Sequence, residues 1–234
     1  MDFFQKYDII SLYKSLYTIT TLGVDNMSSN NIITITRQYG SGGHDIGKDL
    51  AKKLNIAFYD KELISIAAKE SGICPEVFAN VDEKATNSLL YSLSMGLYSY
   101  GNNFSSMDDL PVNDKLYILQ HRIIKNLAEK ENFVVVGRCA DYVLKEHSNI
   151  VKVFIYADID TRVKNAIEKK NIDPARAKQA VLKADKQRAN YYSFYSGQKW
   201  GLPDNYDLCI NSSKLTAEQA SDIIIEYLNI INKK

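Results

Sequence analysis

Of 234 residues, only three are cysteine, four proline and one tryptophan. Cys74, Cys139 and Cys209 are far apart, odd in number and form no CxxC pair. His44, His121 and His147 are equally scattered. This excludes a disulfide scaffold and offers no zinc spacing. A reducing cytoplasm is the expected compartment. An excess of one charge is also missing. Twenty-nine basic against 28 acidic residues leave a net charge of +1. That balance argues against a chain that coats nucleic acid or an anionic membrane, while leaving room for a local basic pocket. Long hydrophobic runs are absent from the N-terminal segment. Its longest uncharged stretch, Ser15 to Val24, is too short to span a bilayer, and no signal-peptide layout precedes it.

What is present is ordinary globular material, 45% hydrophobic and 24% charged. A chain of this size buries roughly 70% of its unfolded surface, enough for a real core. One domain plus a small insertion is expected. Residues 1–30 read as an N-terminal extension outside the core, and 31–234 as the domain. In the extension, Phe4, Ile9, Tyr13 and Leu16 fit a helical stripe, a docking helix. The alternative is that Met27 is the biological start, since MSSNN runs directly into an apolar strand.

Five short strands are expected: Ile32–Thr36, Asn55–Asp60, Phe133–Val136, Val151–Ala157 and Tyr206–Asn211. Between them apolar residues recur at helical spacing, as in Ile46, Leu50, Ala51 and Leu54, in Leu63, Ile64, Ala67 and Ala68, or in Leu116, Leu119, Ile123 and Leu127. Residues 76–113 lose periodicity and read as an insertion over the core. Residues 160–195 read as helical and charged. Thr216 and Gln219 form a capping box ahead of the last helix. Strands alternating with helices imply a parallel, doubly wound sheet, with ligands beyond the carboxyl ends of its strands. Arg37 to Gly43, Asp60, Gly137-Arg138 and Asp158 all fall there.

The glycine loop after the first strand carries the strongest signal. Strand, Gly-rich turn and helix N-terminus make an anion site, because backbone N–H groups and the helix dipole both face the ligand. The phosphate-loop pattern GxxxxGK[ST] fits in two registers. Gly42 to Asp49 supplies Gly47-Lys48 but starts six residues after the strand and makes Ile46 a loop residue. The register from Arg37 keeps the helix intact but lacks the first glycine, the lysine and the hydroxyl. Arg37, Gly43 and His44 stand in those places. We favour the second. A dinucleotide loop is the rival, with Asp60 at the ribose position, but Asp45 stands where the third glycine should be.

Phosphoryl transfer needs positive charge around the moving group. Arg37, Arg138, Arg162, Arg176 and Arg188 are the candidates. Arg138 should project at the sheet's carboxyl edge. Asp185, three residues before Arg188 on the same helix face, either orients its guanidinium or forms only a weak surface ion pair with it. Arg176 reads as well as part of a solvated face. Tyr191, Tyr192, Phe194, Tyr195 and Trp200 follow, aromatics that stack a base or simply pack.

Together, ITITRQYGSGGHDIGKDLA, YDKELI, VVVGRCADYVL, VFIYADIDTRV, DKQRANYY, KWG and NYDLCINSSKL resemble the cytidylate kinase-like family over about residues 32–228. The resemblance implies a P-loop NTPase type three-layer α/β/α fold with a five-stranded parallel sheet. It adds an NMP-binding insertion at 76–113 and a helical lid at 160–200. It also implies transfer of the ATP γ-phosphate to CMP or dCMP with Mg²⁺. Gly40, Ser41, Gly42, Gly43, His44 and Asp45 would bind the ATP phosphates. Arg37, Arg138, Arg162 and Arg188 would be catalytic. Asp60, Arg138, Asp185 and Arg188 would hold the acceptor. No metal ligand is assigned; Asp60, Asp158 and Asp185 are the carboxylates considered for holding metal-bound water. The expected partners are small-molecule nucleotides, with no nucleic acid or membrane.

Departures from the family pattern matter. The phosphate-loop lysine is replaced by Gly43 and the metal-binding hydroxyl by His44. Cys139 stands where the authentic enzymes carry the acid that reads cytosine, and the arginine expected shortly after Asp60 is missing. These departures keep two alternatives in view: a nucleotide-binding regulatory module without turnover, and a kinase for a different small acceptor. Arg37 is the candidate to supply the missing lysine's charge.

Overall fold

The computed structural model describes residues 32–60 and 112–233. The N-terminal extension, the segment after Asp60 and nearly all of the insertion expected at 76–113 lie outside the described residues. The described elements are β1 (Ile32–Arg37), α1 (Gly43–Leu54), β2 (Ala57–Tyr59), α2 (Val112–Ala128), β3 (Phe133–Val136), α3 (Ala140–Val143) and β4 (Ile150–Tyr156). After them come α4 (Ile159–Lys170), α5 (Pro174–Ser196), β5 (Leu208–Asn211) and α6 (Ala217–Asn232).

All five strands are parallel, in the order β2-β3-β1-β4-β5. Their β-branched residues are buried on both faces, as a sheet covered by two helical layers requires. Side chains alternate between the faces. Ile32, Phe133 and Val135 enter the core under α2 and α3. Ile33, Ile35, Val134, Val136, Val153 and Ile155 enter the core under α1 and α6. The result is the expected three-layer α/β/α architecture.

The expected helical stretch 160–195 is two helices. Asn171 adopts the left-handed conformation at the end of α4. Asp173 then accepts from the Ala175 N–H, and Pro174 begins α5. Proline is suited to that position because its missing N–H is not needed there. The Thr216–Gln219 capping box forms as expected. The short helix α3 was not expected; left-handed backbone at Cys139 sets it up.

β1 sends its connection toward β2, and its neighbour β3 sends its own toward β4. Adjacent strands whose connections part in this way open a crevice at their carboxyl ends. The glycine loop follows β1 there, and Gly137-Arg138 follows β3.

Candidate functional site

α1 starts at Gly43, with Gly42 at the N-cap in left-handed conformation (φ 80°). This is the register counted from Arg37. Ile46 is buried on α1, and Lys48, the lysine of the other register, is exposed on that helix. The loop is tied down by four distant segments of the chain. Gln38 N–H donates to the Ile155 carbonyl, and Tyr39 N–H donates to Asp185 Oδ1 at 2.7 Å. Asn165 of α4 donates to the Gly40 carbonyl at 2.8 Å, and the Ser212 hydroxyl donates to the Ser41 carbonyl at 2.7 Å. Gly40 has φ 79°, and a Cβ on it would lie 2.5 Å from the Arg162 carbonyl. Only glycine meets both conditions without strain. The ladder of α1 begins with Ile46 N–H on the Gly42 carbonyl. The N–H groups before it have no partner within the helix and face outward at its positive end.

Asp185 of α5 is the centre of the contact between α4, α5 and the glycine loop. Its second oxygen pairs with the Arg162 guanidinium. Arg162 Nε also donates to the Ala157 carbonyl at 2.9 Å, which fixes the fork. Arg188 donates to the Arg37 carbonyl at 3.2 Å and lies 5.4 Å from the centre of the Tyr39 ring. The expected Asp185–Arg188 pair thus works as two separate clasps. Asp185 holds Arg162 and the loop N–H, and Arg188 holds the end of β1.

Two cavities adjoin the loop. The larger, about 480 Å³, opens beside Ser41, Gly42 and Asp45 and is walled by α4 and by the segment from Ser212 to Ala217. Its size lies within the range of nucleotide-sized ligand pockets. Lys169 at the end of α4 donates to Asp45 Oδ2 at 2.9 Å. Burial opposes ionisation of Asp45, but the Lys169 and His44 contacts outweigh it and hold the carboxyl below its usual range. The wall from Ser212 to Ala217 was not singled out residue by residue from the sequence. The signal available was the NSSKL motif.

The smaller cavity, about 30 Å³, lies between Arg37, Arg138 and Arg188, with Thr36, Tyr191 and Trp200 also in its wall. It has room for one small anionic group rather than a nucleotide. Arg138 is buried, and its φ of 61° places it within three consecutive left-handed residues, Gly137, Arg138 and Cys139. Such backbone costs roughly 1–3 kcal/mol per non-glycine residue and persists only where its surroundings enforce it. Burial and then the neighbouring Arg37 and Arg188 disfavour the Arg138 cation, while Tyr191 and Asp60 favour it. Three guanidiniums line this one cavity, which makes it electropositive.

His44 and Asp60 lie at the front of α1. His44 Nε2 is 3.6 Å from the buried Asp60 carboxylate, and Nδ1 is 3.4 Å from Asp45. Of the aromatics singled out after Arg188, Tyr191, Tyr192 and Trp200 line the small cavity. Tyr195 stacks on Tyr117 instead, with centroids 4.0 Å apart. Arg176 is exposed on the first turn of α5, away from both cavities.

Behind the arginines lies a buried polar network. Tyr192 OH is 2.7 Å from Asp141 Oδ2 and 2.9 Å from Gln198 Oε1, and the Tyr206 hydroxyl accepts from the Gly201 N–H at 3.4 Å. Burial raises the Asp141 carboxyl well above its usual range, against the Tyr192 hydrogen bond. Above about pH 4 the unfolded chain releases this proton while the folded chain keeps it, so stability falls as pH rises through that window. Asp141→Asn is therefore expected to raise the Tm at pH 7.5, with the gain vanishing near pH 4. Calorimetry across that range checks it, and an equal loss at both pH values would refute it.

Fold and site together define a P-loop α/β protein of the kinase type. The chain belongs to the cytidylate kinase-like family, whose model matches residues 32–214. A cytidylate kinase from Sulfurisphaera tokodaii is 22% identical over 203 residues, 87% of this chain and 98% of that protein. A crystal structure of an uncharacterized protein from Eubacterium ventriosum is 32% identical with a TM-score of 0.63, covering 85% of this chain and 98% of that one. A shikimate kinase from Bacteroides thetaiotaomicron, at 16% identity and a TM-score of 0.50, shares the fold over 85% of this chain and 98% of its own. These relationships support a nucleotide-binding phosphotransferase. Among the described residues, no helix is long and apolar enough to cross a membrane.

Proposed function

We propose that the chain transfers the γ-phosphoryl group of ATP to a nucleoside monophosphate, CMP or dCMP. One observation carries the reading. A nucleotide-sized cavity and a small three-arginine cavity adjoin the same glycine loop, one beside Ser41–Asp45 and the other beside Arg37. The first suits ATP, with its phosphates on the loop and α1 N–H groups. The second suits the anionic group of the acceptor, held by Arg138 and Arg188, with Arg37 between it and the glycine loop. Asp60, buried at the end of β2, lies 3.6 Å from His44 Nε2 and close enough to Arg138 to favour its charge. Catalysis would rest on positioning and charge stabilisation, with α4 and α5 excluding water.

Among the described residues no three metal-ligating side chains cluster. Mg²⁺ needs no such cluster, because one or two carboxylates, substrate phosphates and water suffice. Asp60 fits that limited role, since it is buried at the front of the loop. Both Asp185 oxygens are engaged by Tyr39 and Arg162, and Asp158 is exposed at the N-cap of α4. Bound there, Mg²⁺ would neutralise charge on the phosphates.

One observation favours a different small acceptor as the second reading. Cys139 is buried in the wall of the small cavity, and burial pushes its thiol up, so it stays neutral. It cannot take the place of a base-reading carboxylate. The test is coupled ADP release with ATP and Mg²⁺ against CMP, dCMP, UMP, AMP, GMP, shikimate and no acceptor. Release dependent on CMP or dCMP supports the first reading. Release only with another acceptor supports the second. ATP binding without release under any acceptor overturns both, in favour of a regulatory nucleotide-binding module.

A further inference from the structure

The phosphate loop lacks its lysine, and the geometry around Gly43 shows what fills that space. Gly43 is the first residue of α1 and the position the lysine would occupy. A Cβ built there would lie 2.6 Å from Arg37 Cβ and 3.0 Å from Arg37 Cγ. No side chain longer than hydrogen fits while the Arg37 stem crosses that point. The same arginine then runs on to β3. A Cβ on Gly137 would collide with Arg37 Nη1 and lie 3.2 Å from Cζ. Two glycines, 94 residues apart by their numbers, thus form the walls of a channel for one side chain. The guanidinium at its end lines the small cavity with Arg138 and Arg188. Arg188 also holds the Arg37 carbonyl, so the start of the stem is fixed from α5.

We infer that Arg37 and Gly43 are a coupled exchange. The cation that a phosphate loop carries on its helix is carried here by the last residue of β1, and Gly43 is glycine because the Arg37 stem needs its space. The charge enters from the strand side and opens into the small cavity beside Arg138 and Arg188, where the transferring phosphoryl group would meet the acceptor's anion. Arg37 is therefore the residue that touches the γ-phosphoryl group. Arg138 and Arg188 hold the acceptor's anion. A planar fork also offers that group two parallel donors where lysine offers a point charge. This inference rests on the phosphotransferase reading above.

The test is a double-mutant cycle read by isothermal titration of ATP and ADP, with Mg²⁺, into the full chain. Arg37→Ala is expected to weaken ATP about tenfold, the scale of one charge-assisted contact, while ADP changes less than about threefold. Gly43→Lys alone should be as weak, because its side chain collides with the Arg37 stem. The double variant Arg37→Ala/Gly43→Lys should recover most of the lost ATP affinity, since removal of the stem frees the lysine's path. Equal ATP binding by wild type and Arg37→Ala overturns the inference. So does a folded double variant no better than Arg37→Ala. If circular dichroism shows that the lysine variants do not fold, the ATP-against-ADP split in Arg37→Ala decides alone. Failure of the wild type to bind ATP would instead sink the phosphotransferase reading itself.

Discussion

Arg138→Met is expected to lower acceptor-dependent ADP release at subsaturating acceptor by about a hundredfold, the scale of a lost bidentate contact to the acceptor's anion, while ATP still binds. The argument lies in where the backbone puts Arg138. Its φ of 61° turns the side chain back into the buried edge between β1 and β3. Burial and the nearby Arg37 and Arg188 both work against the cation. Met keeps most of the side chain's volume and removes a charge that burial disfavours but Tyr191 and Asp60 favour, so the two effects on stability oppose each other and the Tm should move little. Loss of turnover with unchanged or higher Tm marks a residue kept for an anion. Loss of both together would mark Arg138 as structural, and unchanged turnover would remove it from the site.

Asp185→Ala is expected to cost stability and ATP affinity at once. Asp185 holds the Tyr39 N–H of the loop with one oxygen and Arg162 of α4 with the other. Deleting it leaves Arg162, which is 6% exposed, without its carboxylate. Breaking a buried pair in this way costs roughly 3–5 kcal/mol, and both partners keep a little solvent contact, so about 3 kcal/mol is the better figure. At about 2–4 °C per kcal/mol for a domain of this size, the Tm falls by about 6–12 °C. ATP affinity should fall as well, because the loop loses its tie to α5. Asp185→Asn separates the two effects. Its amide oxygen still accepts from Tyr39, so the loop keeps its shape, while the charge facing Arg162 is lost. We expect most of the ATP affinity to survive in Asp185→Asn and most of the stability loss to remain. Calorimetry and ATP titration on both variants check this. A fall in ATP affinity equal to that of Asp185→Ala would show that the charge, not the hydrogen bond, holds the loop.

Five parallel strands, the three-layer arrangement and the glycine loop in its register from Arg37 were all legible in the sequence. The reason is local. β-branched runs such as Ile32–Thr36 and Phe133–Val136 suit strands buried on both faces. The stripe Ile46, Leu50, Ala51 fits α1 only if the helix starts at Gly43. Thr216 and Gln219 close their box within one turn. Each of these depends on residues a few positions apart, so periodicity and capping chemistry suffice. The convergence of Arg37, Arg138 and Arg188 was legible only as a set of candidates. Tertiary structure decided the rest, because the deciding contacts join residues far apart in the chain. Asp185 meets Tyr39 across 146 positions and Arg162 across 23. Ser212 meets Ser41 across 171. No spacing rule encodes such pairs. The left-handed run at Gly137–Cys139 escaped notice as well, since arginine and cysteine are not residues that announce that backbone. Sequence alone made Gly43 a missing lysine. The fold made it the gap through which Arg37 passes, because only packing shows that a side chain already fills the space a lysine would need.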